Sequence, residues 1–296
     1  MIVRDKPTKL ELAFAVRGSI VPAIAPRIAV LMVFSAVMVL LHNTLPTFPE
    51  IDAIGFTVFG IALSLFLGFR NNAAYDRWWE ARKLLGGLLA DLRSFAREVQ
   101  LFVSDRASQE KMIRLSLAFI HLHRANLRQL PNDPQAKALG GALANAPHPP
   151  NAALDAIAEE AAWAYRAAQV DGFGAKALQE RLGSITQQQT ACERIATTPL
   201  PYVYSLLIYR TTYLYCLLFP LALVGPAGWM TPLFVGIVAY VFLGLAEVTE
   251  DLSHPFGTTP NALPLDAICR LVEISLAPHL GEKAPQPLEA KEFYLS

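Results

Sequence analysis

Histidines, cysteines and carboxylates are the side chains that could bind a metal or carry out acid-base catalysis, so their spacing limits the chemistry of this chain. His121 and His123 lie two residues apart in an amphipathic segment, and residues two apart on a helix do not face each other. The cysteines are far apart in the sequence and form no C-x-x-C pair: Cys192, Cys216 and Cys269. We therefore expect no metal site, no disulfide, no cofactor and no enzymatic activity.

A second kind of chemistry is the attraction of ions by fixed polar groups. The candidate ion-attracting residues are Glu50, Asp52, Asn72 and Asp76. Carboxylates repeated around a symmetric assembly would concentrate cations. Two alternatives stay open: Glu50 and Asp52 could be a loop charge and a helix-start charge, and Arg70 and Arg77 would favour anions if they faced the same side.

The stretch Phe59 to Arg82, FGIALSLFLGFRNNAAYDRWWEAR, has no proline and predicts one continuous helix. On a helix, Ile61, Leu65 and Phe69 share a stripe that continues into Asn72 and Asp76. The stripe is apolar first and polar afterwards. It could pack against a neighbour in the same chain, or its copies could form an apolar constriction in a pore that is gated by dewetting.

The elements that must position this stripe are membrane helices, because the composition is that of a membrane protein. Of 296 residues, 53% are hydrophobic and 17% are charged, and Lys and Arg balance Asp and Glu at 25 each. Uncharged or nearly uncharged segments long enough for a crossing predict four spans: Ala23–His42, Ile54–Phe69, Thr211–Trp229 and Met230–Ala246.

The loops predict the orientation of the chain. The connections NTLPTFPEID and VGPAGWMT carry no Lys or Arg, whereas basic residues precede the first span and follow the second. The positive-inside rule then puts both termini in the cytoplasm. We expect five parts: a cytoplasmic segment 1–22, spans in 23–69, a helical cytoplasmic domain 70–200, spans in 201–250, and a cytoplasmic segment 251–296.

Inside the cytoplasmic domain, amphipathic periodicity predicts helices. The segments are Trp79–Phe102, Gln109–Leu130, Leu154–Val170 and Ala175–Ile195. The intervening PNDPQAKALGGALANAPHPPN is rich in Pro, Gly and Asn and predicts an exposed loop. The fold class is therefore an all-α membrane protein with four transmembrane helices per subunit and a helical cytoplasmic domain, assembled around a central pore.

Particular residues make the chain resemble the bestrophin family. Gly68-Phe69, followed two turns later by Arg77-Trp78-Trp79, resembles the bestrophin pore helix. His254-Pro255-Phe256-Gly257 after the last span, with Glu250 before it, looks like the Asn-Pro-Phe-Gly segment of that family. The run ACERIATTPLPYVYSLLIYRTTYL is most similar to the bacterial branch.

The resemblance implies a homopentameric ion channel in the bacterial inner (plasma) membrane, in contact with lipid and permeant monovalent ions and without nucleic acid. It implies a pore neck of Ile61, Leu65 and Phe69 and a second constriction, a cytoplasmic aperture, which we assign to Leu178, Leu182 and Ile185. Animal bestrophins follow Pro-Phe-Gly with acidic residues that bind calcium, whereas HPFGTTPNALPLD has only Asp266. We therefore expect calcium-independent activity.

From the acidic residues near the expected pore we predict selectivity for a monovalent cation, Na⁺. The alternatives are a monovalent anion (chloride) channel of the same architecture and a membrane-anchored adaptor that does not conduct.

Overall fold

The computed structural model describes residues 1–3, 8–16, 18–49 and 51–296 of the chain. In these ranges the regular elements are helices, and pairing of extended backbone is limited to isolated bridges of Tyr294 with Ile2 and Lys291. The helices are α1 Lys9–Phe14, α2 Val21–Thr44, α3 Ala53–Phe102, α4 Arg106–Leu127, α5 Pro134–Gly140, α6 Pro149–Arg166, α7 Gly172–Thr197, α8 Tyr202–Ala227, α9 Thr231–Ser253 and α10 Leu265–Leu280. Short 3₁₀ turns at Gly141–Asn145 and Gly228–Met230 complete them. The all-helical fold class predicted from the sequence is confirmed.

The chain forms two compact units, and each is interleaved in sequence. The larger unit comprises Met1–Arg4, Trp79–Thr198 and Pro255–Ser296, and the smaller unit comprises Asp5–Trp78 and Pro199–His254. Helix α3 contributes its first half to the smaller unit and its second half to the larger. As the unbroken Phe59 to Arg82 stretch predicted, α3 is one helix of 50 residues, about 75 Å long at 1.5 Å per residue.

The helices of the smaller unit pack against one another through narrow stripes of buried side chains. These helices are α2, α8, α9 and the first half of α3. Helix α2 buries Ile24, Leu31 and Val39 on one face, while Val30 and Val33 on the opposite face are exposed. Apolar side chains left outside in this way are typical of helices that face lipid or another subunit. Three stretches of the described chain are long and apolar enough to cross a membrane: Val21–Thr44, Ile54–Phe102 and Tyr202–Ser253. The last holds both α8 and α9, and a count of four crossings stays a prediction.

The larger unit has a conventional apolar core. Phe95 on α3, Phe119 on α4, Ile157 on α6, Ile185 on α7 and Val272 on α10 belong to one cluster and are fully buried. Asp105 and Asp171 begin α4 and α7 as N-caps, since each carboxylate accepts a hydrogen bond from a backbone N–H three residues later.

The predicted exposed loop between α4 and α6 is instead partly helical. Asp133 accepts a hydrogen bond from the Ala136 N–H and Pro134 occupies the first turn, which is a helix-start signal, and α5 follows. Gly140 lets α5 approach α4 closely, because a Cβ there would lie 2.9 Å from a Leu122 methyl group. The prediction of a loop is wrong for α5, since its Pro and Gly serve as a helix start and a packing contact.

Candidate functional site

Helix α3 has one covered and one uncovered face within the smaller unit. Phe56, Leu63 and Leu67 are buried in a cluster with residues of α8 and α9. On the opposite face, Ile61, Leu65 and Phe69 are 59%, 57% and 69% exposed. Among the described residues, the predicted neck side chains therefore lie mostly outside the packing of their own subunit, which disfavours the alternative that they serve a same-chain core.

The uncovered face changes character after Phe69. Asn72 and Asp76 are exposed and continue the stripe one and two turns further along α3. A single helix face thus carries apolar groups and then an amide and a carboxylate, in the order that the sequence predicted.

The other predicted ion-attracting residues lie before α3. The Asp52 carboxylate accepts a hydrogen bond from the Ile54 N–H at 3.0 Å, so this residue acts as a helix-start charge. Glu50 lies outside the described residues.

Arg70 and Arg77 are held by other groups of the smaller unit. The Arg70 side chain is 8% exposed, and its Nη2 donates to Glu250 Oε2 at 2.8 Å and to Ser205 Oγ at 2.9 Å. Arg77 Nε donates to the Ser253 carbonyl at 2.8 Å. Because a paired guanidinium exerts little field beyond its partner, Arg70 adds no free positive charge to the stripe.

The assignment of the cytoplasmic aperture to Leu178, Leu182 and Ile185 is wrong. These side chains are 0%, 4% and 0% exposed, because this face of α7 belongs to the core of the larger unit. Arg181 on the same helix bonds Asp91 and Glu98 of α3 at 2.8 and 2.9 Å, which holds α7 against α3. A side chain in the core of a subunit cannot line a passage.

Sequence reasoning missed Phe173, which is 85% exposed at the start of α7. The turn that presents it is fixed on both sides: Asp171 caps the Gly174 N–H at 2.6 Å, and a Cβ on Gly174 would lie 2.7 Å from the Phe102 Cβ. Leu101, at the end of α3, is 75% exposed. The signal in the sequence was an aromatic residue out of phase with the apolar period of α7.

The two histidines of α4 have different surroundings, as expected for residues two apart. His121 Nε2 lies 2.7 Å from Glu273 Oε1, and this hydrogen bond is the main reason why the pKa of Glu273 is lowered. His123 is buried and stacks on Phe119. Burial, with the charge of His148 nearby, lowers the pKa of His123 to about 3.

Comparison with known proteins identifies a family that this chain matches. Residues 1–278 match the model of a family described as Bacterial/Fungal Bestrophin protein. The crystal structure of a bacterial bestrophin homolog from Klebsiella pneumoniae is similar with a TM-score of 0.82 and 30% identity, covering 88% of this chain and 99% of that chain.

Curated relatives are similar along nearly their whole length. The voltage-dependent anion channel-forming protein of Mesorhizobium japonicum is 44% identical over 303 residues, covering 100% of this chain and 97% of the relative. The protein described in the same words in Escherichia coli K12 is 38% identical over 288 residues, covering 93% of each.

Proposed function

The chain belongs to the bacterial and fungal bestrophin family of membrane ion channels, and we propose that its copies assemble around an ion pathway lined by the uncovered face of α3. The family assignment confirms the resemblance predicted from the pore-helix residues, and the chain is a channel rather than an enzyme. Five copies, as the family resemblance implies, would turn each exposed residue of α3 into a ring.

The observation that carries the proposal is the change from apolar to polar along one face of α3. Rings of Ile61, Leu65 and Phe69 form a neck that closes by dewetting, and rings of Asn72 and Asp76 hydrate the ion beyond it. The adaptor alternative needs no apolar ring at Phe69, whose exposed side chain would then face lipid, and it predicts that Phe69→Ala leaves function unchanged.

The proposed setting is the bacterial inner membrane with both termini in the cytoplasm. In support, the connections that follow α2 and α8 carry no Lys or Arg, as the positive-inside rule requires of the outer side. Calcium independence is part of the proposal. Asp266 is engaged by Arg124 and Arg128 at 2.8 Å each, so this carboxylate is committed to a structural network rather than to a cation.

For selectivity we propose a monovalent anion such as chloride, because the relatives in Mesorhizobium japonicum and Escherichia coli are described as anion channel-forming. These descriptions favour the alternative drawn from the sequence over the predicted sodium channel. Cations remain the second candidate on one observation: Asp76 is exposed on the stripe while the nearby Arg70 is paired.

We assign the proposed cytoplasmic aperture to Phe173 instead of to the buried face of α7. Among the large apolar side chains of the larger unit that the structure describes, it is the most exposed, and Leu101 is next. An exposed aromatic side chain on a fixed turn is suited to a narrow apolar ring.

The experiment is planar-bilayer recording of purified protein in asymmetric NaCl, with wild type, Leu65→Ala and Leu40→Ala compared. Leu40 is 49% exposed on α2, so this variant removes the same atoms from an apolar face outside the proposed pathway. We expect a reversal potential near the chloride equilibrium value and larger currents for Leu65→Ala alone. A value near the sodium equilibrium potential would establish the cation candidate, and folded protein without current would favour the adaptor.

A further inference from the structure

The smaller unit contains a cavity of about 490 Å³ that the ion pathway does not use. It is lined by residues from the start of α2, the middle of α3, the start of α8 and the end of α9. Its volume falls within the roughly 300–1,000 Å³ that is usual for small-molecule sites. The cavity is therefore large enough for a ligand.

Two ion pairs form one wall of this cavity. Arg27 of α2 lies 3.2 Å from Glu247, and Arg70 of α3 lies 2.8 Å from Glu250. The first pair is partly exposed, with side-chain exposures of 42% and 31%. The two guanidinium groups and two carboxylates give this wall a net charge of zero but separate positive and negative sites. Such a wall is complementary to a ligand that carries one positive and one negative group.

Two residues that line the cavity each have a buried polar atom without a partner in the described chain. Thr212 is 1% exposed and its Oγ1 has no hydrogen-bond partner in the described chain, although Thr211 beside it bonds a carbonyl one turn back. The Nε of Arg70 is likewise buried and unpaired among the described residues. Buried groups of this kind are nearly always satisfied, and both residues line the cavity, so an acceptor bound there is a candidate partner for these two donors.

The rest of the lining is apolar and aromatic. Leu206, Ile208 and Leu243 contribute hydrocarbon surface, and Tyr209 and Tyr213 pack with ring centroids 4.6 Å apart. Helices α2 and α8 also carry exposed apolar side chains, among them Val30 and Val203. A soluble ion would leave this surface wet, whereas an acyl chain would cover it.

We propose that the cavity binds a zwitterionic phospholipid with a primary ammonium, of the phosphatidylethanolamine class. Its phosphate accepts hydrogen bonds from Arg27, Arg70 Nε and Thr212, and its ammonium donates to Glu247 and Glu250. With an anionic lipid, the two arginines, the two glutamates and the phosphate would sum to one net negative charge, and a choline headgroup has no N–H to donate to the carboxylates. The proposal does not depend on whether the assembly conducts.

The test is lipid binding to the delipidated protein in detergent, measured as the rise in melting temperature and by native mass spectrometry. The probes are short-chain phosphatidylethanolamine, phosphatidylcholine and phosphatidylglycerol, with soluble phosphoethanolamine as a headgroup without chains. We expect phosphatidylethanolamine to bind about tenfold more tightly than the other lipids, since charge-assisted hydrogen bonds supply the difference.

Variants locate the site. Arg27→Gln weakens phosphatidylethanolamine binding about tenfold, because it removes a charge-assisted bond to the phosphate. Arg210→Gln is the control, since it removes an exposed cation of α8 that does not line the cavity. Thr212→Val tests the orphan hydroxyl: without lipid its melting temperature equals or exceeds that of wild type, and with lipid its affinity is lower.

Three results would overturn the proposal. The first is equal binding of all the lipids. The second is Arg27→Gln behaving as Arg210→Gln does, which would leave lipid binding elsewhere on the apolar surface. The third is phosphoethanolamine binding as tightly as the intact lipid, which would assign the cavity to a soluble zwitterion.

Discussion

The Arg70–Glu250 pair predicts that its two members are unequal in their contribution to stability. The Arg70 side chain is 8% exposed and that of Glu250 is 55% exposed. Glu250→Gln leaves a buried guanidinium without a counter-charge. Arg70→Met leaves a carboxylate that water can reach and fills the guanidinium site with an apolar chain.

The magnitudes follow from this asymmetry. Breaking a buried pair from one side costs roughly 3–5 kcal/mol, and the Ser205 hydroxyl still accepts from Arg70, so we expect about 3 kcal/mol for Glu250→Gln. Arg70→Met leaves only the half-exposed Glu250 carboxylate, which water can solvate, so its cost is that of losing a solvent-accessible ion pair and we expect about 1 kcal/mol. The difference of about 2 kcal/mol is roughly thirtyfold in the unfolding equilibrium constant.

The assay is reversible unfolding of the purified protein in mixed detergent micelles without added phospholipid. We expect the double variant Arg70→Met/Glu250→Gln to cost about 1 kcal/mol rather than the sum of the single variants, because removing both partners leaves no buried charge. Arg210→Met, on the exposed face of α8, controls for loss of a cation. A larger loss of stability for Arg70→Met than for Glu250→Gln, or additive effects in the double variant, would refute this asymmetry.

Two further predictions concern the larger unit. His123, with a pKa lowered to about 3 from 6.5, stays neutral in the fold while the unfolded chain takes up a proton, so stability falls as the pH drops below 6.5, by up to about 1.4 kcal/mol per pH unit. His123→Phe, which can keep the stacking on Phe119, should flatten the dependence of the unfolding free energy on pH between 6.5 and 5, measured by denaturant titration. Phe173→Ala should increase bilayer current and leave the melting temperature unchanged, because the side chain is 85% exposed.

Each of these two predictions has a result that would contradict it. Equal pH dependence for wild type and His123→Phe would mean that other groups cause the loss of stability. For the aperture, the control is Leu139→Ala, an apolar truncation at a 44% exposed site on α5. If this control and Phe173→Ala change the current alike, Phe173 lines no constriction.

The sequence predicted the fold well where local pattern decides the outcome. A charged and aromatic stretch without proline or turn signals continues a helix, and α3 does so from Ala53 to Phe102. The stripe from Ile61 to Asp76 follows from helical geometry alone, and the structure leaves that face uncovered within the subunit.

Partners distant in the sequence could not be predicted in this way. The apolar period of α7 shows which face avoids water, but the same period serves a core and a passage, and Leu178, Leu182 and Ile185 belong to the core. Arg70 and Glu250 are 180 residues apart, so helical spacing gave no indication that they pair. The exposed Phe173 was overlooked because one aromatic residue at a helix start carries little periodic signal.

Because the two units are interleaved in sequence, neither can complete its core until late in translation. The cluster around Phe95 needs Val272 and Leu276 of α10, and the smaller unit needs α8 and α9, which begin 100 residues or more after the end of α3. The nascent α3 therefore leaves the ribosome with Leu67 and Phe95 still lacking these late partners. We expect the insertion machinery or a chaperone to shield these unpacked apolar surfaces until α10 has been made.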